Sequence, residues 1–96
     1  MARLVWSARA LRDVQRLHRF LAGKNPAAAV RAIQAIRSGL KIIALQPGIG
    51  RPIDELDLPY REWLISFGDS GYVVRYRLED NNVTLLAVRH QRELGF

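Results

Sequence analysis

The sequence predicts an α+β fold in which an antiparallel sheet, built from one N-terminal strand and three C-terminal strands, packs one face against a two-helix hairpin. Between residues 60 and 92, apolar and polar side chains alternate with the two-residue period of strands. Between residues 8 and 45, apolar side chains recur at three- and four-residue spacing, the period of helices. No linker, repeat or low-complexity tract interrupts the chain, so residues 1–96 are expected to form one domain.

The N-terminal segment predicts a short strand followed by a helix of about four turns. Residues 3–6 form the expected strand, and Ser7 is suited to cap the helix that follows. The apolar stripe of this helix consists of Leu11, Val14, Leu17 and Leu21. A basic stripe lies beside it, formed by Arg9, Arg12, Arg16 and Arg19. Such a stripe is typical of a solvated helix face, and less often of a surface that binds a partner.

A stop-and-start signal separates the first helix from the second. Gly23 follows the first helix, Asn25 is placed to cap the second, and Pro26 occupies its first position. We expect the two helices to form a hairpin. The apolar stripe of the second helix consists of Val30, Ile33, Ile36, Leu40 and Ile43.

The connection from the helices to the sheet carries two glycines and a group of acidic residues. The segment 46–52 contains no Gly-Lys-Ser/Thr sequence, so it is predicted to be a structural turn and not a phosphate-binding loop. The acidic patch formed by Asp54, Glu55 and Asp57 lacks a nearby histidine and the glycine of a calcium loop. We therefore predict no metal site and no cofactor.

The C-terminal third predicts three strands, at residues 61–67, 71–78 and 83–90, joined by tight turns at 68–71 and 79–82. In the middle strand, one face carries Tyr72, Val74, Tyr76 and Leu78, and the other carries Val73, Arg75 and Arg77. One face of the sheet should therefore be core and the other cationic. The third strand is apolar on both faces, which favours an interior position in the sheet.

Composition indicates an acidic partner. The 15 Lys and Arg residues, 13 of them arginine, outnumber 9 Asp and Glu residues and give a net charge of +6. Arginine is suited to bidentate contacts with carboxylates and phosphates, so nucleic acid or an acidic protein segment is the expected partner. No apolar run reaches the roughly 20 residues needed to cross a bilayer, and we expect a cytoplasmic protein with no membrane contact.

A basic group near the C-terminus is the candidate site. Its members are Arg61, Arg75, Arg77, Arg89, His90 and Arg92. Binding of a partner is the favoured interpretation, and exposed charge without a function is a second. Catalysis by a metal-free RNase is the third, because arginines stabilise a phosphorane and a histidine transfers protons. In a purely structural role, His90 would instead satisfy a backbone group at the end of its strand.

Trp63 is a further candidate. Strand alternation places it on the same face as Arg61 and Ile65. Its indole is either a core side chain or an anchor for a protein partner.

The order of these features resembles the RelE/ParE toxin superfamily of type II toxin–antitoxin systems. The resemblance rests on an arginine-rich helical hairpin, the segment 43–52 (Ile-Ala-Leu-Gln-Pro-Gly-Ile-Gly-Arg-Pro), the segment 71–77 (Gly-Tyr-Val-Val-Arg-Tyr-Arg) and the ending 86–93 (Leu-Ala-Val-Arg-His-Gln-Arg-Glu). It implies a bacterial toxin neutralised by an acidic, partly disordered antitoxin, with operator DNA bound only through the antitoxin complex. Within the superfamily, RelE-type members cut mRNA on the ribosome, and ParE-type members poison DNA gyrase.

Three positions make the sequence more similar to ParE than to RelE. RelE-like nucleases carry lysines where this chain has Leu64 and Ser66, and an arginine where it has Val73. They also carry a tyrosine in the C-terminal tail, which this chain lacks after His90. We therefore expect a toxin that binds DNA gyrase without chemistry of its own.

Two alternatives remain open at this point. One is an mRNA endonuclease that uses His90, Arg75 and Arg92. The other is an inert member of the superfamily that only binds its antitoxin. In the favoured interpretation the residues that contact gyrase or the antitoxin are Arg61, Trp63, Arg75, Arg77, Arg89, His90 and Arg92.

Overall fold

The computed structural model describes residues 1–53 and 59–93. Within these residues a five-stranded sheet packs against two helices, which confirms the predicted α+β fold. The acidic patch formed by Asp54, Glu55 and Asp57 lies outside the described residues. The helices are α1 (Ala8–Ala22) and α2 (Pro26–Leu45), and the strands are β1 (Arg3–Trp6), β2 (Arg51–Pro52), β3 (Tyr60–Phe67), β4 (Ser70–Glu79) and β5 (Asn82–His90).

The strands lie in the order β1-β5-β4-β3-β2, so β5 has the interior position that its apolar sequence predicts. Strands β2 to β5 pair antiparallel, but β1 runs parallel to β5. The sheet is therefore mixed and not antiparallel throughout, because the chain leaves β1 through the helical hairpin and returns beside it only in its last strand. The two-residue strand β2 is an addition that the sequence pattern does not predict.

Both predicted hairpin turns are present. Gly68 adopts φ = 63° in the two-residue turn between β3 and β4. In the turn between β4 and β5, Asp80 and Asn81 have φ values of 51° and 61°. Positive φ at both central positions matches the turn to the right-handed twist of the strands. These short turns fix the register of β3, β4 and β5.

Both helices pack on the same face of the sheet, where α1 lies against β5 and α2 against β3. The caps form as expected, since Ser7 accepts a hydrogen bond from Ala10 N–H at 3.0 Å and Asn25 accepts one from Ala28 N–H at 3.1 Å. The core between the layers consists mainly of Leu17, Ile36, Leu40, Ile43, Ile65, Tyr72, Val74, Tyr76, Val83, Leu85 and Val88.

In each helix, the predicted apolar stripe includes one residue that is exposed and not buried. Leu11 is 48% exposed and Val30 is 54% exposed, while the neighbouring Ala10 and Ala29 are buried. The buried stripe is therefore shifted onto Ala10 and Ala29, whose small side chains allow a helix to pack closely against its neighbours. Hydrophobicity alone ranks leucine and valine above alanine, so the sequence pattern misplaces the stripe.

The segment before β2 is fastened to the sheet by Tyr76, whose side chain is fully buried. Its hydroxyl donates a hydrogen bond to Pro47 C=O at 2.6 Å and accepts one from Gly50 N–H at 2.9 Å. Burial raises the pKa of Tyr76, although the Gly50 hydrogen bond and Arg61 act in the opposite direction, so the hydroxyl keeps the proton that it donates. The predicted structural role of this turn is confirmed.

Replacing Tyr76 by phenylalanine should destabilise the fold by about 1–3 kcal/mol, because it leaves a buried N–H and a C=O without their partner. Urea unfolding followed by circular dichroism measures this change. Tyr72→Phe is the matched control, since the ring of that buried tyrosine packs against Phe67 and His90 and does not contact the turn. Equal stability of Tyr76→Phe and wild type would contradict the role of this hydroxyl.

Candidate functional site

The face of the sheet opposite the helices, here called the outer face, carries three of the predicted site residues. Arg75 and Arg77 alternate with the buried residues of β4. Arg89 pairs in register with Val73 and therefore lies on the same face. The predicted cationic face of the sheet is thus present.

The arginines of the outer face are held by carboxylates and carbonyls. Arg75 donates to Glu62 at 3.5 Å, and Arg51 also donates to Glu62. The Nη2 atom of Arg77 donates to both carboxylate oxygens of Glu79, at 2.8 and 2.7 Å. These contacts fix the orientation of the guanidinium groups before any partner arrives.

Arg89 is held by the chain that follows its own strand. Its guanidinium donates to the carbonyl oxygens of Gln91 and Glu93, each at 3.2 Å. The arginine therefore links the outer face to the residues after β5.

A shallow groove of about 410 Å³ runs across the outer face next to these arginines. Its walls combine apolar side chains with charged ones, and it is lined by Ile49, Arg51, Glu62, Trp63, Leu64, Val73, Arg89 and Gln91. A mixed apolar and cationic groove is suited to a protein segment that carries both kinds of side chain.

Arg61, Trp63 and His90 lie on the other side of the sheet. Register places Arg61 opposite Tyr76 and Trp63 opposite Val74, both of which are core residues. Arg61 donates to Gly48 C=O at 3.2 Å and to Gly50 C=O at 2.7 Å, so it supports the turn before β2. Trp63 shares its face with Arg61 and Ile65 as predicted, packs against the core and also lines the groove.

His90 ends β5 and faces the core. Its ring meets the edge of Tyr72 with 5.5 Å between centroids, and its Nδ1 accepts a hydrogen bond from Arg92 N–H at 3.2 Å. This is the backbone-satisfying role that the sequence offers as an alternative to catalysis. Arg92 is exposed and lies 3.6 Å from Asp69. The structure therefore does not bring His90, Arg75 and Arg92 together on one surface, because His90 and Arg75 lie on opposite faces.

Most of the basic excess lies on the helical layer and not on the sheet. Residues 8–45 contain eight basic residues and one acidic residue, Asp13, and all eight basic side chains are exposed. They are Arg9, Arg12, Arg16, Arg19, Lys24, Arg31, Arg37 and Lys41.

A groove between the two helices has a volume of about 730 Å³. It is lined by Val14, Gln15, His18, Arg19, Val30, Ile33, Gln34 and Arg37. The exposed Val30, which the stripe prediction places in the core, contributes apolar surface to this groove. The helical layer is thus a second surface with both apolar and cationic character.

Within residues 1–53 and 59–93, no group of three or more His, Asp or Glu side chains is arranged to hold a metal ion. None of the helices in that part of the chain is long and apolar enough to cross a membrane.

The family model for the ParE toxin of the type II toxin–antitoxin system parDE matches residues 4–95. This chain belongs to the ParE toxin family. Toxin RelE3 of Caulobacter vibrioides is 38% identical over 85 residues, covering 88% of this chain and 89% of that protein. Toxin RelE1 of the same organism is 36% identical over 87 residues, covering 91% and 90%. The chain is therefore a type II toxin of the RelE/ParE superfamily, and the family implies an antitoxin partner.

Two solved structures share the fold. The chromosomal ParDE system of P. aeruginosa superposes with a TM-score of 0.73 at 16% identity, covering 94% of this chain and 96% of that one. The Helicobacter pylori protein HP0894 superposes with a TM-score of 0.63 at 22% identity, covering 99% of this chain and 100% of that one. At these identities the likeness extends to the fold alone.

Sequence reasoning missed Glu62 and Arg51 as members of the outer face. Glu62 could have been found by counting back from the two-residue turn at Gly68 and Asp69, which places it directly opposite Arg75. Arg51 could not, since it reaches Glu62 through the unpredicted strand β2.

The last described residues of the toxin are fixed to α1 through Glu93. The Glu93 carboxylate accepts hydrogen bonds from His90 N–H at 3.0 Å and from Arg16 at 3.1 Å. Burial raises the pKa of Glu93, but these two partners lower it more strongly, so the pKa is below its usual value. A lowered pKa stabilises the folded state above the unfolded-state value, and this stability is lost as the pH falls through the folded-state pKa.

Replacing Glu93 by glutamine should therefore destabilise the toxin at pH 7, and the difference from wild type should shrink as the pH falls below about 4. Urea midpoints measured between about pH 7 and pH 3 test this. Arg16→Ala removes one partner of Glu93, so it should also destabilise the toxin at pH 7, by an amount that shrinks at low pH. A gap between Glu93→Gln and wild type that is constant across this range would contradict the ion pair's contribution.

Proposed function

We propose that this toxin inhibits DNA gyrase by binding it through the outer face of the sheet, without chemistry of its own. The observation that carries this proposal is the separation of His90 from Arg75 on opposite faces of the sheet. A nuclease without a metal needs a proton-transfer group and a phosphate-stabilising cation on the same substrate. The His90 ring instead packs on Tyr72, where its Nδ1 is occupied by a backbone N–H.

The outer face also supports binding to a protein. Leu64 and Val73 pair with each other on this face. The resemblance to the superfamily implies cationic residues at these two positions in RelE-like nucleases. Apolar residues surrounded by fixed arginines form the kind of surface that protein partners use, with arginine enriched among residues that dominate binding energy.

Cleavage of mRNA on the ribosome is the second candidate function. The specific observation in its favour is that the two similar Caulobacter vibrioides proteins are named RelE toxins. A nuclease would have to position its substrate on the outer face without His90, using Arg75, Arg77 or Arg89 as electrostatic groups.

We further propose that the antitoxin binds the helical layer. An acidic amphipathic segment would place apolar side chains against Val30 and Ile33 and carboxylates against Arg19 and Arg37. Charge complementarity of this kind accelerates association and selects the partner. The proposal assigns the two partners to different layers, whereas the sequence alone leaves both on one cationic surface.

A supercoiling assay with purified gyrase, relaxed plasmid and ATP tests the proposed activity, with cleaved DNA scored in the same reactions. We expect loss of supercoiling together with accumulated cleaved DNA. Translating ribosomes with a defined mRNA are the parallel reaction, in which we expect intact mRNA. Cleaved mRNA with undisturbed supercoiling would overturn the proposal in favour of the second candidate.

The double variant Arg75→Ala/Arg77→Ala should weaken gyrase inhibition at least tenfold, because each lost guanidinium contact at an interface costs about 1–3 kcal/mol. Its matched control is Arg9→Ala/Arg12→Ala, which removes the same charge from the helical layer. The half-inhibitory concentration of this control should stay within about threefold of wild type, because exposed residues away from an interface contribute little. The half-inhibitory concentration in the supercoiling assay measures both. Equal losses in the two variants would indicate a general charge effect and contradict the assignment of the outer face.

A further inference from the structure

Glu62 is a carboxylate held between two arginines on the outer face. Its side chain is 12% exposed and accepts hydrogen bonds from Arg75 on β4 and from Arg51 on β2. The register explains this position, because Glu62 pairs directly with both residues on the two neighbouring strands. The carboxylate therefore occupies the place where the two guanidinium groups converge.

Apart from Glu62, the groove has the charge that binds the backbone of single-stranded nucleic acid. Sites for single strands use a cationic groove that follows the phosphates. Here Arg51 and Arg89 line the groove, and Arg75 reaches the same carboxylate as Arg51. Arginine pairs donate to phosphate as readily as to carboxylate, so Glu62 and a phosphate would compete for the same donors.

Burial makes this competition unequal. Solvent screens the charge of the Glu62 carboxylate only weakly, because the carboxylate has little exposure. A phosphate brought to the same arginines would be repelled by this charge and would also have to displace the hydrogen bonds that Glu62 accepts. We propose that Glu62 is the specificity-determining residue that excludes nucleic acid from the outer face and leaves it to protein partners. The assignment of a protein partner rests on the proposed function, whereas the exclusion of nucleic acid does not.

The test is the affinity of the full-length toxin for a fluorescent ten-nucleotide single-stranded RNA, measured by anisotropy over a series of salt concentrations. Replacing Glu62 by glutamine keeps an oxygen acceptor for the arginines and removes the charge. We expect RNA binding to tighten about tenfold at low salt, and the slope of log affinity against log salt to steepen by about 0.7 for each phosphate gained. Circular dichroism verifies that the variant is folded.

Glu79→Gln is the matched control, because Glu79 holds Arg77 on the same face but its side chain is 53% exposed. It should tighten RNA binding by about twofold or less, since solvent screens its charge. Equal gains for the two variants would overturn the inference, because net charge alone would then explain them. Unchanged RNA binding by Glu62→Gln would overturn it too.

The single variant Arg51→Ala keeps the inference falsifiable if Glu62→Gln is poorly folded, and it completes a double-mutant cycle if Glu62→Gln is folded. Arg51 is 73% exposed, so its replacement by alanine should not disturb the fold. Glu62 already accepts the hydrogen bond of Arg51, so Arg51 is not available to phosphate in the wild-type protein. Arg51→Ala should therefore weaken RNA binding less than twofold in the wild-type background, but about fivefold in the Glu62→Gln background. A fivefold loss in the wild-type background would contradict the inference.

The supercoiling assay on the same variants separates this inference from the proposed function. A gain in RNA affinity with Glu62→Gln supports the inference even if gyrase is not the target. Gyrase inhibition by a wild-type protein that binds RNA as tightly as Glu62→Gln does would support the proposed function and overturn the inference.

Discussion

The buried hydroxyl of Tyr76 is the constraint on which the arrangement of the outer face depends. It binds both ends of the turn at residues 47–50 and thereby fixes where the chain enters β2. Strand β2 is only two residues long and gains little from its own pairing, so its position is set by this anchor. Through it, Arg51 is placed opposite Glu62, and Glu62 in turn orients Arg75. A core hydrogen bond thus determines how charges are presented on the opposite face.

Hydrogen bonds to β5 also link helix α1 to the strand that carries Arg89 on the outer face. Ser7 donates to the carbonyl of Leu86, and the Asp13 carboxylate accepts from Val88 N–H at 2.9 Å. The register of β4 and β5 shifts between Arg75 and Tyr76, and Leu86 is the extra residue on β5 at this bulge. A bulge changes the direction in which side chains point, and here it lies between the part of β5 that carries Arg89 and the part that pairs with β1. The contacts from α1 hold this irregular backbone in place.

The fold was largely predictable because its signals are local. Stripe spacing, the Asn25 and Pro26 start signal and the short turns each specify an element within a few residues. The direction of β1 was not predictable, since parallel and antiparallel pairing leave no separate mark on four residues. The exposed Leu11 and Val30 were misplaced because packing space, and not hydrophobicity, decides which helical residues face the core.

The candidate site was predictable only in part. Alternation along β4 places Arg75 and Arg77 on one face. The same alternation along β5, with His90 paired to Tyr72, places His90 on the opposite face. Residues that are neighbours in the sequence of a strand, such as Arg89 and His90, point to opposite faces. A candidate site defined by closeness in the sequence therefore combines side chains that the fold separates. The ion pairs of Glu62 depend on a strand of two residues, which no sequence period reveals. The concentration of charge on the helical layer is visible in the sequence, but a basic stripe on a helix is more often a solvated face than a binding surface.

The central claim is that the target binds the outer face of the sheet and not the helical layer. Arginine side-chain NMR signals of the labelled toxin, recorded with and without purified gyrase, test it most directly. The account predicts that the Nε–H signals of Arg75, Arg77 and Arg89 shift or broaden, while those of Arg9 and Arg12 on α1 keep their positions. Perturbation confined to the arginines of α1, with those of the outer face unchanged, would contradict it.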